Sequence, residues 1–218
     1  MPVKPTENVI KDCFNAASRT VGKLGAVDDI SRYILAMLEE CGRLGIKNYS
    51  LSPNQLGRCN GDWFEYAIEN VLKNFFRGDE FKAYPGRGHH IKEVRGFEKV
   101  SWIPMPDAII KNTEDLRAVL SLKWGMRHDR MYEVGYEAYA IKDWCARNRM
   151  RSPKMFLVTD DHFSGYESRL RTMHECPVVD DIYYVQAARL GGSLKSYIKP
   201  MPILISDLKG ILDQKTDG

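Results

Sequence analysis

The 218-residue chain has no stretch approaching the ~20 consecutive apolar residues that a membrane-spanning helix needs, so a membrane class is set aside. Its first residues, Met1-Pro2-Val3-Lys4-Pro5, lack the apolar core of a secretory signal, and a cytoplasmic protein is the expectation. Cysteine is sparse. Cys13, Cys41, Cys59, Cys145 and Cys176 are odd in number, scattered and never in a CxxC pair, which argues against a disulfide framework and a zinc ribbon and for reduced thiols. There are no internal repeats and no low-complexity tract. Neither sign of charge dominates: a net charge of +3 and a pI near 8.5 permit a polyanionic partner without requiring one. The distribution of charge along the chain has to decide.

Periodicity outlines a mixed α/β chain that one compact unit accommodates, with residues 1–60 as an N-terminal helical layer and 61–218 as the core. Helices are expected over Glu7 to Lys23 and Asp28 to Arg43, the second capped by Asp28 or Asp29. The Ser, Pro, Asn and Gly of Asn48 to Asn60 read as a loop, after which Gly61 launches a third helix to Phe76. Strands follow near Phe97 to Trp102, Asp107 to Lys111 and Arg117 to Lys123, the last apolar enough for a central place in the sheet. Met131 to Asn148 reads as a helix, Lys154 to Thr159 as a strand and Gly165 to His174 as a helix. Asp181 to Gln186 is a strand, and Ile203 to Leu212 a closing helix or strand. The expected architecture has helices on both faces of one sheet.

Pro106-Asp107 opens one strand and Ser121-Leu122-Lys123 closes the next across the short polar turn 112–115. An antiparallel pairing would carry Asp107 to Lys123. Alternation puts Ser121 and Lys123 on one face, while Leu122 points into the core with its carbonyl near the carboxylate. Mg²⁺ takes oxygen ligands and keeps several waters, so one or two carboxylates and the Leu122 carbonyl suffice to hold it. Lys123 would orient or help deprotonate a water attacking a phosphodiester. Leu122 and Ser121 are not acidic, so a second carboxylate must come from elsewhere. Glu137 lies on the following helix, thirteen residues past Lys123, with Glu133 one turn earlier. Glu65, among Trp63, Phe64, Ala67 and Ile68, is a further candidate, because an acid among such neighbours does not read as a solvated face. A lone PD with xxK is weak on its own, and the bland alternative is coincidence.

Directly after Lys123 comes Trp124-Gly125-Met126-Arg127-His128-Asp129-Arg130, at the start of a helix. Arginine pairs bidentately with guanine O6 and N7, and aspartate accepts from the cytosine N4 amino group. Arg127, Asp129 and Arg130, with His128 among them, can therefore read adjacent G·C pairs in a major groove. The competing reading is a solvated charge cluster or an internal Arg–Asp ion pair.

Taken together, these residues resemble the type II restriction endonucleases of the PD-(D/E)XK superfamily that cut sites containing CCGG. Ser121, Lys123, Trp124, Arg127, Asp129, Arg130 and Glu137 match that family in type and spacing, as does Pro106-Asp107, and Glu65 resembles its additional acid on an early helix. The resemblance is tight over about Gly61 to Glu137. It departs in the short gap between Asp107 and Lys123 and in the small size of the chain. It implies an α/β restriction-endonuclease-like core, a mixed central sheet flanked by helices with the N-terminal helices added. It further implies Mg²⁺-dependent cleavage of double-stranded DNA at a short palindrome and a homodimer or tetramer. The two arginines would contact the GG half-site, with Asp129 on cytosines. Related enzymes that recognise CC and GG separated by one base pair use a similar arginine block with altered spacing, so that inner site stays open, as do a repair or recombination nuclease of the same superfamily and a non-catalytic DNA-binding module.

The loop Pro85 to Arg95, with Arg87, His89, His90, Lys92 and Arg95, fits phosphate contact or plain solvation equally. Neither His89-His90 nor His174-Glu175-Cys176 has partners at metal-ligand spacing. Arg147, Arg149 and Arg151 suit phosphate contacts or an exposed face. Asp160-Asp161-His162 reads as a helix cap.

Overall fold

A computed structural model of the chain describes residues 5–78, 80–83, 94–98, 106–112, 115–160 and 165–214. The strand expected near Phe97 to Trp102 therefore lies mostly outside the described residues, as do Arg87, His89, His90, Asp161 and His162. None of the described helices is long and apolar enough to cross a membrane.

Helix α1 (Glu7–Val21) starts at Thr6, whose hydroxyl accepts from the Val9 N–H, and it buries Ile10, Cys13, Phe14 and Ala17 at helical spacing. Helix α2 (Ile30–Tyr49) runs further than its sequence pattern suggested, and neither expected aspartate caps it through its side chain. Asp29 pairs with Arg32 instead.

The main correction falls on α3, which spans Pro53–Phe75 rather than starting at Gly61. Ser52 accepts from the Gln55 N–H while the Gln55 side chain accepts from the Ser52 N–H, a reciprocal cap with proline at the first helical position. Gly57 and Gly61 thus sit inside a helix, each costing ~1 kcal/mol relative to alanine. Full burial of Phe64, Ile68, Val71 and Leu72 outweighs that, at roughly 1.5–3 kcal/mol per large apolar side chain. Trp63 Nε1 donates to the Ile10 carbonyl at 3.1 Å and ties α3 to α1.

Six strands form the described sheet in the order β1 (Phe81–Ala83), β2 (Ala108–Asn112), β3 (Asp115–Lys123), β4 (Lys154–Thr159), β5 (Asp181–Tyr184), β6 (Ile198–Pro200). β1 to β3 pair antiparallel and β3 to β6 parallel, so the sheet is mixed. Helix α4 (His128–Arg147) connects β3 to β4, and α5 (Tyr166–His174) connects β4 to β5. The closing segment is a helix, α6 (Met201–Asp213), preceded by the short β6 that periodicity did not reveal.

Alternation along β3 separates two cores. Ala118, Leu120 and Leu122 pack with α1, α2, α3 and α6, whereas Val119 joins Val134, Ile141, Leu157 and Leu170 beneath α4 and α5. Helices therefore cover both faces of the sheet. Asp180 locks the second layer by accepting from Lys142, Lys154 and the Met155 N–H at 2.8–2.9 Å. Asp160 is fully buried, and its carboxylate accepts from the Gln186 backbone and side chain.

Candidate active site

The β2–β3 register pairs Ala108 with Leu120, and one step further along Asp107 stands beside Ser121. The Asp107 carboxylate reaches past that position. Its Oδ2 accepts from the Leu122 amide at 2.7 Å and from Lys123 Nζ at 2.9 Å. The expected meeting of Asp107 and Lys123 is present. Leu122 meets Asp107 through its N–H, where its carbonyl had been expected to lie near the carboxylate. The Leu122 side chain points into the core as alternation requires.

Glu137 approaches from α4, where Val134, Ala138, Ile141 and Cys145 mark the buried face. It is a carboxylate on an apolar helix face, only 2% exposed, and its Oε1 has no hydrogen-bond partner among the described residues. Burial above all, then the negative charge of Asp107, pushes its pKa up to about 8, with Lys123 pulling the other way. Two acids thus converge on one lysine. Ser121 Oγ, on the same face of β3, is likewise buried, and it stands close enough to the Glu137 carboxyl to act against the rise in its pKa.

Lys123 is 7% exposed, and burial alone would favour its neutral form. The charges of Asp107, Glu137 and Glu133 prevail and hold its pKa above the ordinary lysine value, so it is an ammonium. Glu133 adds a connection that the sequence did not disclose. Its Oε1 lies 3.4 Å from Lys123 Nζ while its Oε2 accepts from Arg130 at 2.8 Å.

Arg127 is the N-cap of α4 and His128 its first residue. Arg127, Asp129 and Arg130 are all well exposed, and Arg127 donates to Asp129 at 2.9 Å. The internal Arg–Asp pair weighed from sequence is therefore formed in the protein alone. Exposed pairs of this kind contribute little and exchange readily for other partners. Arg127 and Arg130 line a cavity of about 500 Å³ together with Lys123 and Trp124, and Glu65 and Arg58 of α3 face them across it. Trp124 packs on Phe64 with ring centroids 5.6 Å apart, which fixes α3 against the end of β3. Glu65 thus lines the same cavity as Lys123. Arg58 was missed because its segment read as a loop.

Among the described residues no three His, Cys, Asp or Glu side chains gather into a metal-binding cluster. Two carboxylates with like charge, one of them buried and unpartnered, suit a hard cation that keeps most of its waters, and they do not suit a structural zinc.

No protein-family model and no curated protein matches the sequence. Solved structures do. The restriction endonuclease PspGI, in complex with substrate DNA, aligns with a TM-score of 0.60 over 98% of this chain and 95% of its own, at 14% identity. The fold is that of the restriction endonucleases. The type IIP restriction endonuclease Kpn2I aligns with a TM-score of 0.53 and 12% identity, over 95% of this chain and 73% of its own. The mixed sheet flanked by helices, expected from the PD…SxK pattern, is the core that the restriction-endonuclease fold shares with this chain.

Proposed function

We propose that this chain is a type II restriction endonuclease that hydrolyses both strands of DNA at a short G·C-containing palindrome with a CCGG core. The carrying observation is the convergence of Asp107, Lys123 and Glu137 at the end of β3, beside a cleft lined by Arg127 and Arg130.

Asp107 and Glu137 are the residues that would hold Mg²⁺, with the Leu122 carbonyl as a third oxygen. Mg²⁺ bound there supplies charge neutralisation on the scissile phosphate and acidifies a water. Glu137 must give up its proton to serve. Lys123, held as an ammonium beside Asp107 and Glu133, donates hydrogen bonds; it orients the attacking water and offsets charge at the phosphorus rather than taking a proton. Ser121 Oγ lies beside it as a spare donor.

Arg127 and Arg130 exchange their intramolecular carboxylates for guanine, and Asp129, freed from Arg127, accepts from cytosine. A two-fold site calls for a two-fold protein. Two copies reading halves of a four-base-pair core stand within roughly 14 Å along the duplex at ~3.4 Å per base pair. An α-helix with side chains is ~10 Å across, so both α4 helices run side by side. Tyr132, Tyr136 and Tyr139 form one exposed stripe down α4 from the reading block, 78%, 54% and 56% accessible, and a second copy is the partner that this arrangement brings to them. The Arg127–Arg130 block, the tyrosine stripe and the cleft together support a homodimer on double-stranded DNA.

Digestion of a plasmid with the purified protein and Mg²⁺, followed by sequencing of the ends, tests the assignment. Discrete fragments with one shared CCGG-containing sequence at every end are expected. A smear with unrelated ends would replace restriction by a structure-directed nuclease, and intact plasmid would leave a binding module.

A further inference from the structure

The cleft has a second wall that the catalytic and base-reading residues do not use. Gly57, Gly61 and Glu65 recur every fourth residue of α3, so they share one face, and all three line the cavity opposite Lys123 and Arg130. Two glycines inside a helix are destabilising unless something needs the space. Among the described residues nothing does: a Cβ at either position meets none of their atoms within 4 Å. Gly45 of α2 is the contrast, since a Cβ there would press on the Leu51 side chain at 3.0 Å and on Leu56 and Trp63 close behind. That glycine answers to packing. Gly57 and Gly61 share that open space with Gly42 and Gly210, and they differ from them in lining the cleft.

The charge of the lining says what enters. Arg58, Lys123, Arg127 and Arg130 line the cleft with Glu65, and Lys123, Arg127 and Arg130 are held by Asp107, Asp129 and Glu133, exposed or half-exposed pairings of the two arginines that a polyanion can replace. Beside Lys123, Glu137 Oε1 is buried without a hydrogen bond among the described residues, with the Ser121 hydroxyl close enough to lower its pKa, as expected of a group whose full complement arrives with a ligand. We propose that the Gly57–Gly61 face of α3, with Arg58 beside it, is the wall against which the sugar–phosphate backbone of the bound duplex lies. The bare helix lets the strand approach closely enough for its phosphate to reach Lys123, and Arg58 contacts a phosphate without reading sequence. This rests on the nuclease reading for the identity of the ligand, and it goes further by naming the surface opposite the base-reading block.

Binding without divalent metal tests it, using fluorescent 20-base-pair duplexes with and without a CCGG core. Gly61→Leu fills only open space and improves helix propensity, so its Tm should equal or exceed that of the parent protein. Affinity for both duplexes should fall at least ten-fold. Gly210→Leu is the control: that exposed glycine of α6 also has no atom within 4 Å of its Cβ, and its variant should keep both Tm and affinity. Arg58→Gln should weaken both duplexes alike and make the slope of log affinity against log salt shallower by about one. Should Gly61→Leu lose helix content, Gly61→Ala carries the test with a loss of a few fold in the same direction. Parent-like binding by a folded Gly61 variant overturns the wall and leaves the nuclease reading standing. Failure of the parent protein to bind either duplex overturns the nuclease reading itself, and the wall with it.

Discussion

Glu133 joins Lys123 to Arg130: one carboxylate oxygen lies 3.4 Å from the lysine ammonium and the other accepts from the guanidinium at 2.8 Å. The residue proposed to read bases and the residue proposed to serve hydrolysis therefore share one acid. On the proposed reading, Arg130 turning to a guanine would leave Glu133 to Lys123, and occupancy of the recognition site would change the charge around that lysine. Glu133→Gln removes both attractions and one negative charge from the cleft. Duplex binding at low salt should tighten several-fold, more for unrelated sequences than for the cognate one, so discrimination falls. Weaker binding in a salt titration would mean that Glu133 itself supports the DNA complex.

Arg127→Ala and Arg130→Ala should each reduce affinity for a CCGG duplex about ten- to hundred-fold, with a much smaller loss on a duplex lacking that core. Competition binding at fixed salt reads the ratio. Equal losses on both duplexes would make these arginines phosphate contacts.

The Glu137 carboxyl sets a pH dependence whose sign follows from its raised pKa. The folded, metal-free protein holds this proton up to about pH 8, whereas the unfolded chain releases it near the ordinary value of 4.5. The folded state binds the proton more tightly, so Glu137 lowers stability progressively as pH climbs from about 4.5 to about 8, after which the effect levels off. Glu137→Gln should flatten that part of a Tm-against-pH curve and leave the metal-free variant more stable than its parent at pH 8. Added Mg²⁺ should raise the Tm of the parent at pH 8 and not that of the variant. A variant less stable than the parent in the absence of metal would contradict a buried, destabilising carboxylate.

The tyrosine stripe predicts the assembly. Tyr136→Glu, in the middle of the exposed face of α4, should shift the protein from dimer to monomer in sedimentation at micromolar concentration without lowering its Tm. An unchanged sedimentation coefficient in a dimeric parent would place the interface elsewhere.

Much of the architecture was legible in the chain because two periodicities dominate it. The alternation of β3 and the short turn before it placed Asp107 against Lys123, and the apolar face of α4 carried Glu137 inward among Val134, Ala138 and Ile141. The start of α3 was not legible, because Ser52, Pro53, Gly57 and Gly61 are loop residues by composition. Their helix depends on a cap three residues long and on burial of Trp63, Phe64 and Ile68 further along. The same misreading hid Arg58. The partner of Asp160 was not legible either: only the fold brings Gln186, twenty-six residues away, to its carboxylate. The contact that Glu133 makes between Lys123 and Arg130 depends on side-chain reach, which residue spacing does not encode.

A time course of supercoiled plasmid with Mg²⁺ at pH 8, run in parallel on the parent protein, Asp107→Asn and Lys123→Met, bears on everything built here. The parent should convert the plasmid to linear fragments, and both variants should leave it supercoiled while still retarding a CCGG duplex in a gel without metal. Supercoiled plasmid untouched by the parent, or cut by either variant at the parental rate, would contradict an active site made by Asp107 and Lys123.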